Sequence, residues 1–310
     1  MIQEMDFIRY LAAKKSVDDR AINSHVWETA IQALSAQGQA PLRILEVGAG
    51  IGTMIERLLE RGGLRRVEYT ALDEQPENIA HARQRLPVWA KAHGFHVQQE
   101  VDGALTISRD DIRFRVCFHH AEALEFARQF AGQYDGLIAH AFLDLFDIPT
   151  ALAALLPALK PEGLVYFSIN FDGVTILEPA VDPELEDQIL ALYHRSMDER
   201  QIRGRISGDS RAGRRLFAHL RQAGVQVLDA GASDWVVFPG AQGYPEDEGY
   251  FLHFIINTIF QALHAHPELP GERFERWAAR RHAQIERGEL VYIAHQLDLC
   301  GRLEKKLVSA

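Results

Sequence analysis

The chain of 310 residues has few cysteines, no excess of positive charge and no long apolar run. Its two cysteines, Cys117 and Cys300, match neither a disulfide framework nor a metal-ligand spacing, so we expect free thiols, no metal site and a cytoplasmic location. The N-terminus lacks the basic region and the unbroken apolar run of a signal peptide. The most apolar stretch, 250–262, is interrupted by polar residues and too short to cross a bilayer. We therefore expect neither export nor a membrane span.

The charge balance argues against nucleic acid as a general partner. Lysine and arginine total 33 against 43 acidic residues, a net charge of -10 at pH 7, which would repel a phosphate backbone. With 47% apolar and 25% charged residues, the composition is that of a folded globular protein. The length suggests about two folding units, or one α/β domain with additions.

Short apolar runs alternate with helical stretches from residue 42 onward. Strands are predicted at 42–47, 67–72, 113–118, 135–139 and 163–169, and helices at 53–61, 76–93, 123–130 and 151–159. Strands that alternate with helices form a parallel sheet covered on both faces. The pattern therefore predicts an α/β, doubly wound, Rossmann-like and mostly parallel sheet.

Helical additions are expected around this core. The pattern predicts an N-terminal helical cap over 1–40, a main domain over 41–240 and a C-terminal helical extension over 241–310. A helix at 183–203 belongs to an inserted helical lid, about 172–205, above the carboxyl edge of the sheet. A helix at 212–223 and a hairpin of strands 225–230 and 235–238 follow. The last segment is expected to hold three helices, the third from 290 to 303. The apolar helix 251–263 is predicted to be core or, if one side stays exposed, a homodimer interface.

The most informative run is RILEVGAGIGT, residues 43–53, in which an apolar strand enters a glycine turn that opens a helix. Gly48, Gly50 and Gly52 follow Glu46 in the spacing GxGxG. A backbone without Cβ can turn tightly and let a ligand approach closely. The third glycine of the dinucleotide fingerprint would fall at Thr53, and its absence argues against NAD.

With these residues the sequence resembles the class I S-adenosylmethionine-dependent methyltransferases, whose first motif is an acid followed by GxGxG. The resemblance covers about residues 42–240 and includes Asp73 at the end of the second strand. It implies that Asp73 holds the ribose and that Glu122 accepts from the adenine amino group. The open alternatives are an exposed N-cap for Asp73 and a helix-capping acid for Glu122. Further residues expected at the cofactor are Ala49, Glu74, Ala123 and His140.

The resemblance implies a methyltransferase that binds S-adenosylmethionine and transfers its methyl group to a small molecule by in-line displacement. The asparagine-proline-proline-tyrosine run of nucleobase- and glutamine-modifying relatives does not follow the fourth strand. Three alternatives remain: a non-catalytic cofactor-binding module that serves a partner protein, an aminopropyltransferase, and an NAD-dependent enzyme on a similar sheet.

On the acceptor side the leading residue is His140, at the end of the fourth strand. Its imidazole is expected to act either as a general base or as a hydrogen-bonded structural group beside the cofactor. Phe142 follows it and can supply an apolar wall. Asn170 and Asp172 either line the crevice or cap a loop. Arg211 lies in the basic stretch 205–215, which either holds an acidic acceptor or forms a solvated basic face.

Overall fold

The computed structural model describes residues 5–38, 41–202 and 204–305. Two helices come first, α1 (Phe7–Ala21) and α2 (Ser24–Ser35). Asp6 and Asn23 cap them, and each side chain accepts hydrogen bonds from two backbone N–H groups of the first turn. The predicted helices of the N-terminal segment are therefore present, while its expected boundary at residue 40 lies outside the described residues.

Strands and helices then alternate as the sequence predicts. The elements are β1 (Leu42–Val47), α3 (Thr53–Arg61), β2 (Arg66–Asp73), α4 (Pro76–Ala92), β3 (His96–Gln99), β4 (Leu105–Arg109), β5 (Ile112–His120), α5 (Ala123–Gln129), β6 (Tyr134–His140), α6 (Ile148–Leu155) and β7 (Leu159–Glu178). The pair β3 and β4 was not predicted, because β3 is short, polar and largely exposed and carries no apolar alternation.

The second half of the chain returns to the same sheet. Its elements are α7 (Pro183–Asp198), β8 (Gln201–Ile202), β9 (Arg205–Ile206), α8 (Ala212–Gln222), β10 (Val225–Ala232), β11 (Trp235–Val237), α9 (Glu248–Leu263), α10 (Gly271–Glu286) and β12 (Val291–Leu303). Among the described residues, no helix combines the length and the apolar character that crossing a bilayer requires.

The main sheet has the strand order β10-β12-β7-β6-β1-β2-β5-β4-β3, with β11 paired to β12. The five strands β5, β2, β1, β6 and β7 are parallel, and β12 runs antiparallel to both of its long neighbours. The predicted doubly wound, mostly parallel sheet is therefore confirmed. Chain order reverses between β1 and β6, and such a switch point opens a ligand crevice at the carboxyl edge.

Each face of the sheet packs a separate core. In β1, Ile44 belongs to one core, whereas Leu45 and Val47 belong to the other, as the two-residue period of a strand requires. All three side chains are fully buried, and burial of each contributes about 1.5–3 kcal/mol. The carboxyl end of β1 is thus held from both sides.

Two sequence predictions near the C-terminus are wrong. The stretch 290–303 is not a helix but β12, which lies between β7 and β10 inside the sheet. The predicted hairpin is also absent, because β10 and β11 each pair with β12 rather than with each other. Apolar residues at 291–294, 297, 299 and 300 fit both a helix and a strand covered on both faces, so periodicity could not separate the two.

The insertion also differs from its prediction in part. Residues 172–178 continue β7 as a strand, and α7 ends at Asp198, whereas the predicted helix end at Arg203 lies outside the described residues. The helix α9 packs against α1, α7 and α10 and is mostly core, which was one of the two alternatives. The division into three units and the homodimer stay predictions.

Candidate functional site

The turn after β1 brings backbone N–H groups to the carboxyl edge of the sheet. Gly48 and Gly50 have φ angles of +68° and +54°, a region that costs an L side chain about 1–2 kcal/mol. At Gly48, a Cβ atom would also lie 2.4 Å from Cδ2 of Phe142. Gly52 is the N-cap residue before α3 and offers no side-chain cap. The glycines therefore permit both the turn and its close contact with the segment after β6.

Asp73 ends β2 beside this turn and is only 9% exposed. Its Oδ2 accepts from the N–H of Gly50 at 2.8 Å, and its Oδ1 accepts from the N–H of Gln75 at 2.9 Å and the amide of Asn78 at 3.0 Å. A carboxylate offers about four acceptor positions. Asp73 thus fixes the glycine turn and keeps acceptor capacity for a ligand, and its burial argues against an exposed N-cap.

Glu46 lies in β1 below the turn and is almost fully buried. Burial raises the pKa of its carboxyl to about 8, although the hydroxyl of Tyr69 donates to it at 2.9 Å. The side chain is therefore protonated near pH 7. A cation placed beside it would favour the charged form and lower this pKa.

Glu122 is the residue before α5, and it caps that helix. Its two carboxylate oxygens accept from the N–H groups of Leu124 at 3.1 Å and Glu125 at 2.6 Å. The helix-capping alternative is therefore observed. Glu122 lines the same cavity as Asp73, so capping and ligand contact are compatible at this position.

One cavity of about 1330 Å³ connects these groups. Ala49, Glu74, Ala123 and Phe142 also line it. A single small-molecule site commonly measures about 300–1,000 Å³. This cavity therefore has room for two ligands placed end to end, one at the glycine turn and one beyond it.

The half of the cavity away from Asp73 is mainly apolar and aromatic. Its large side chains come from α1, β7, α7, β11, α9 and β12 and are Phe7, Tyr10, Phe171, Tyr193, Met197, Trp235, Phe254 and Tyr292. Tyr10 stacks on Phe254 with ring centroids 3.9 Å apart, which joins α1 to α9. Leu11 lies 3.5 Å from the position of a Cβ at Gly50. The helices α1, α7 and α9 thus form a roof over the cavity.

Asp18 of α1 connects this roof to the sheet. Its carboxylate accepts from Nζ of Lys14 at 2.7 Å, Nε1 of Trp235 at 2.9 Å and a guanidinium nitrogen of Arg57 at 3.4 Å. Nε2 of His140 lies 2.9 Å away. The side chain is 3% exposed, and despite this burial the surrounding cations hold its pKa well below the usual range.

Sequence reasoning missed this cluster. Lys14 and Asp18 stand on the face of α1 that also carries the buried Ala13, Val17 and Ala21. Two opposite charges four residues apart on an apolar helix face were the available signal. Their partners lie far away along the chain, so the sequence could not show what they contact.

His140 is placed at the cavity, as predicted, but both of its ring nitrogens are engaged. Nδ1 lies 2.8 Å from Oγ of Ser168, and Nε2 faces Asp18. Burial lowers the pKa of His140 to about 4, so the ring is neutral near pH 7. This geometry fits the second alternative, a hydrogen-bonded group beside the cofactor, better than a general base.

Two of the residues expected on the acceptor side lie on the opposite face of β7. Ile169 and Phe171 line the cavity, whereas the alternating side chains of Asn170 and Asp172 point away from it. The amide of Asn170 donates to the carbonyl of Leu297 at 2.8 Å. Asn170 and Asp172 therefore do not line the crevice as expected, because successive side chains of a strand point to opposite faces.

The basic stretch before α8 also lies outside the cavity. Arg211 is exposed and precedes α8. Arg214 pairs with Asp172 at 2.8 Å, and Arg215 pairs with Asp209 at 2.9 Å. This arrangement matches the solvated basic face and not the site for an acidic acceptor.

The sequence profile of a family described as "Methyltransferase domain" matches residues 45–165, the segment that holds the glycine turn, Asp73 and Glu122. This is a class I S-adenosylmethionine-dependent methyltransferase domain. The match ends within β7, so the roof helices α1, α7 and α9 lie outside it. The predicted family, the enzyme class and S-adenosylmethionine as cofactor are confirmed for this domain.

A curated relative, the ubiquinone biosynthesis O-methyltransferase of Aromatoleum aromaticum, is 29% identical over 132 residues. The alignment covers 42% of this chain and 45% of that protein, so the chain matches less than half of the relative's length. Among solved structures, YjhP from E. coli aligns with 94% of this chain and 98% of its own at 14% identity and a TM-score of 0.45. Phosphoethanolamine N-methyltransferase 2 of Haemonchus contortus aligns over 96% of this chain and 58% of its own chain, at 11% identity and a TM-score of 0.43.

Proposed function

We propose that this protein transfers the methyl group of S-adenosylmethionine to an aromatic or otherwise apolar small molecule. The observation that carries the proposal is the single cavity of about 1330 Å³, which runs from the glycine turn to an aromatic half under α1, α7 and α9. Roof helices α1, α7 and α9 contribute side chains to the wall of the aromatic half, which suits an apolar small acceptor. The name of the curated relative supports a small-molecule acceptor.

The donor would occupy the half of the cavity formed by the methyltransferase domain. In this arrangement Asp73 accepts from the ribose hydroxyls and Ala121–Ala123 border the adenine, as the family resemblance implies. Glu46 would face the positively charged part of the donor. Burial keeps this carboxyl protonated in the free protein, and a nearby positive charge would favour its ionised form, with the proton released to solvent. The methyl group then points toward the aromatic half.

Transfer would proceed by in-line displacement. The nucleophile must lie about 3 Å from the methyl carbon and opposite the sulfur, and such positioning can supply much of the rate acceleration. The apolar and aromatic walls would limit the water around the sulfonium and the nucleophile. The positions of α1 and α7 thus agree with a lid formed by the insertion and the N-terminal helices.

Calorimetry with S-adenosylmethionine and S-adenosylhomocysteine tests the donor, and labelled donor with a panel of aromatic metabolites tests the acceptor. Thr258→Trp would fill the aromatic half, since Thr258 lines it from α9. We expect this variant to keep donor affinity within about twofold and to lose transfer. Gln261→Trp, at an exposed position of the same helix, is the matched control and should behave as wild type. Transfer to bulk protein or tRNA with none to small compounds would contradict the proposed acceptor class.

A further inference from the structure

Asp144 stands out among the carboxylates of the cavity wall. It lies in a short 3₁₀ turn, Leu143–Leu145, two residues after the Phe142 ring that contacts the glycine turn. Its side chain lines the cavity, and its Oδ1 is buried with no hydrogen-bond partner in the described part of the chain. A buried acceptor without a donor is unfavourable. Within the described residues, no donor satisfies this oxygen.

The other buried carboxylates of the wall already accept hydrogen bonds within the fold. Asp18 accepts from three or more side chains, Glu46 accepts from a tyrosine hydroxyl, and Asp73 accepts from three donors. His140, the base expected from the sequence, has both ring nitrogens engaged. Asp144 is therefore the carboxylate of the wall that has a buried, unpartnered oxygen among the described residues, and it can receive a proton from a ligand in the aromatic half.

Charged and titratable groups surround Asp144 from three directions. Helix α1 contributes Tyr10 and Lys14. Tyr193 belongs to α7, Arg200 follows α7, and Asp209 lies in the segment before α8. Burial raises the pKa of Asp144 to about 6, while Arg200 and Lys14 oppose this shift. The carboxyl is thus mostly ionised at pH 7 and remains basic enough to accept a proton. The two cations also disfavour a positively charged amine at this place.

We propose that the acceptor is a phenol and that Asp144 is the catalytic residue that receives the proton of its hydroxyl group. This inference rests on the proposed methyl transfer and names the substrate class. A neutral phenol suits the aromatic walls, donates one hydrogen bond to the free carboxylate and brings no charge between Lys14 and Arg200.

The step balances in atoms and charge. The phenol oxygen forms a bond to the methyl carbon while the bond from that carbon to sulfur breaks, and its electron pair stays on sulfur. The positively charged donor becomes neutral S-adenosylhomocysteine. The phenolic proton passes to the Asp144 carboxylate and is later lost to water. No metal ion, oxidant or further reactant is required by this balance.

The test uses the full chain, labelled S-adenosylmethionine, and a probe set of alkyl-substituted catechols, naphthols and hydroxyquinolines, with aniline analogues of the same shape. We expect wild-type protein to methylate phenols in preference to anilines. Asp144→Asn should lower kcat about 100-fold or more while donor affinity stays within twofold, because general-base catalysis contributes about 10²–10⁴-fold. The kcat of the wild-type protein should decrease as the pH is lowered below about 6. This acid limb of the pH profile should disappear in the variant.

The matched control is Asp147→Asn in the same segment. Asp147 is exposed and caps α6, and asparagine caps helices equally well, so this variant should match wild type. Unchanged kcat in Asp144→Asn, or an acid limb that persists in it, would overturn the role of Asp144. Transfer to anilines alone, or to none of the phenols by protein that binds the donor, would overturn the phenol class. Absence of donor binding would instead refute the proposed function itself.

Discussion

The buried carboxylate of Asp18 provides a sharp test of how the roof is attached. It accepts from Lys14 on its own helix, from Trp235 of β11 and from Arg57 of α3, and it faces His140 at the end of β6. Asp18→Asn retains the shape of the side chain and removes its charge. The variant therefore isolates the electrostatic contribution of this contact between α1 and the sheet.

The expected loss is large because the partners are also buried. Lys14 and Arg57 have side chains that are 9% and 0% exposed, so the variant leaves two buried cations with less compensation. Breaking a buried ion pair typically costs about 3–5 kcal/mol. At about 2 °C per kcal/mol for a chain of this size, Tm should fall by about 6–10 °C at pH 7.

Asp247→Asn is the matched control. Asp247 also pairs with a residue of α1, Arg9, but these side chains are 42% and 55% exposed. An exposed ion pair is screened by solvent and contributes little to stability, so Tm should fall by no more than about 2 °C. Thermal denaturation of the two variants beside wild type gives the comparison.

The pH dependence gives a second readout. Because the folded state lowers the pKa of Asp18, its stabilisation is complete above the unfolded value of about 4 and is lost as pH falls further. The gap in Tm between wild type and Asp18→Asn should therefore persist from pH 7 to about pH 4 and narrow below it. A variant that melts within 2 °C of wild type at pH 7 would refute the account of this cluster.

Two further predictions concern the donor half of the cavity. Because Glu46 is protonated near pH 7 and should ionise beside the positively charged donor, donor binding at pH 7 should release up to one proton. Calorimetry in buffers of different ionisation enthalpy measures that proton, Glu46→Gln should abolish its release, and equal release by the variant would contradict the assignment. Gly48→Ala should weaken donor binding about 10- to 100-fold, since the added Cβ meets both a positive φ and the Phe142 ring. Gly62→Ala has a similar φ of +70° but nothing within 4 Å, so it should lose stability without losing donor affinity, and equal donor affinity in both variants would contradict the role of Gly48.

The donor half could be predicted from the sequence because its signals are local. Gly48, Gly50 and Glu46 lie within five residues, and Asp73 ends the next strand, where parallel strands share one edge. The sheet up to β7 could be predicted for the same reason, because the alternation of strands and helices is also a local pattern. Each of these inferences needed only a short window and the rule that parallel strands end together.

The acceptor half could not be predicted because it depends on tertiary contacts. Asp18 meets His140 across 122 residues of chain, and no local pattern indicates that pairing. The sequence assigned Asn170 to the correct strand. Whether Asn170 or its neighbour Phe171 faces the cavity depends on the packing of α8 behind β7, which no local pattern shows. The position of β12 inside the sheet depends on its pairing with β7 and β10, and this pairing is a tertiary contact.

The central claim is that donor and acceptor occupy opposite halves of one cavity. A crystal structure of the protein with S-adenosylhomocysteine tests this most directly. We predict the ribose hydroxyls on Asp73, the adenine beside Ala121–Ala123 and the sulfur directed toward the aromatic half and Asp144. S-adenosylhomocysteine in the aromatic half, or with its sulfur facing away from Asp144, would contradict the account.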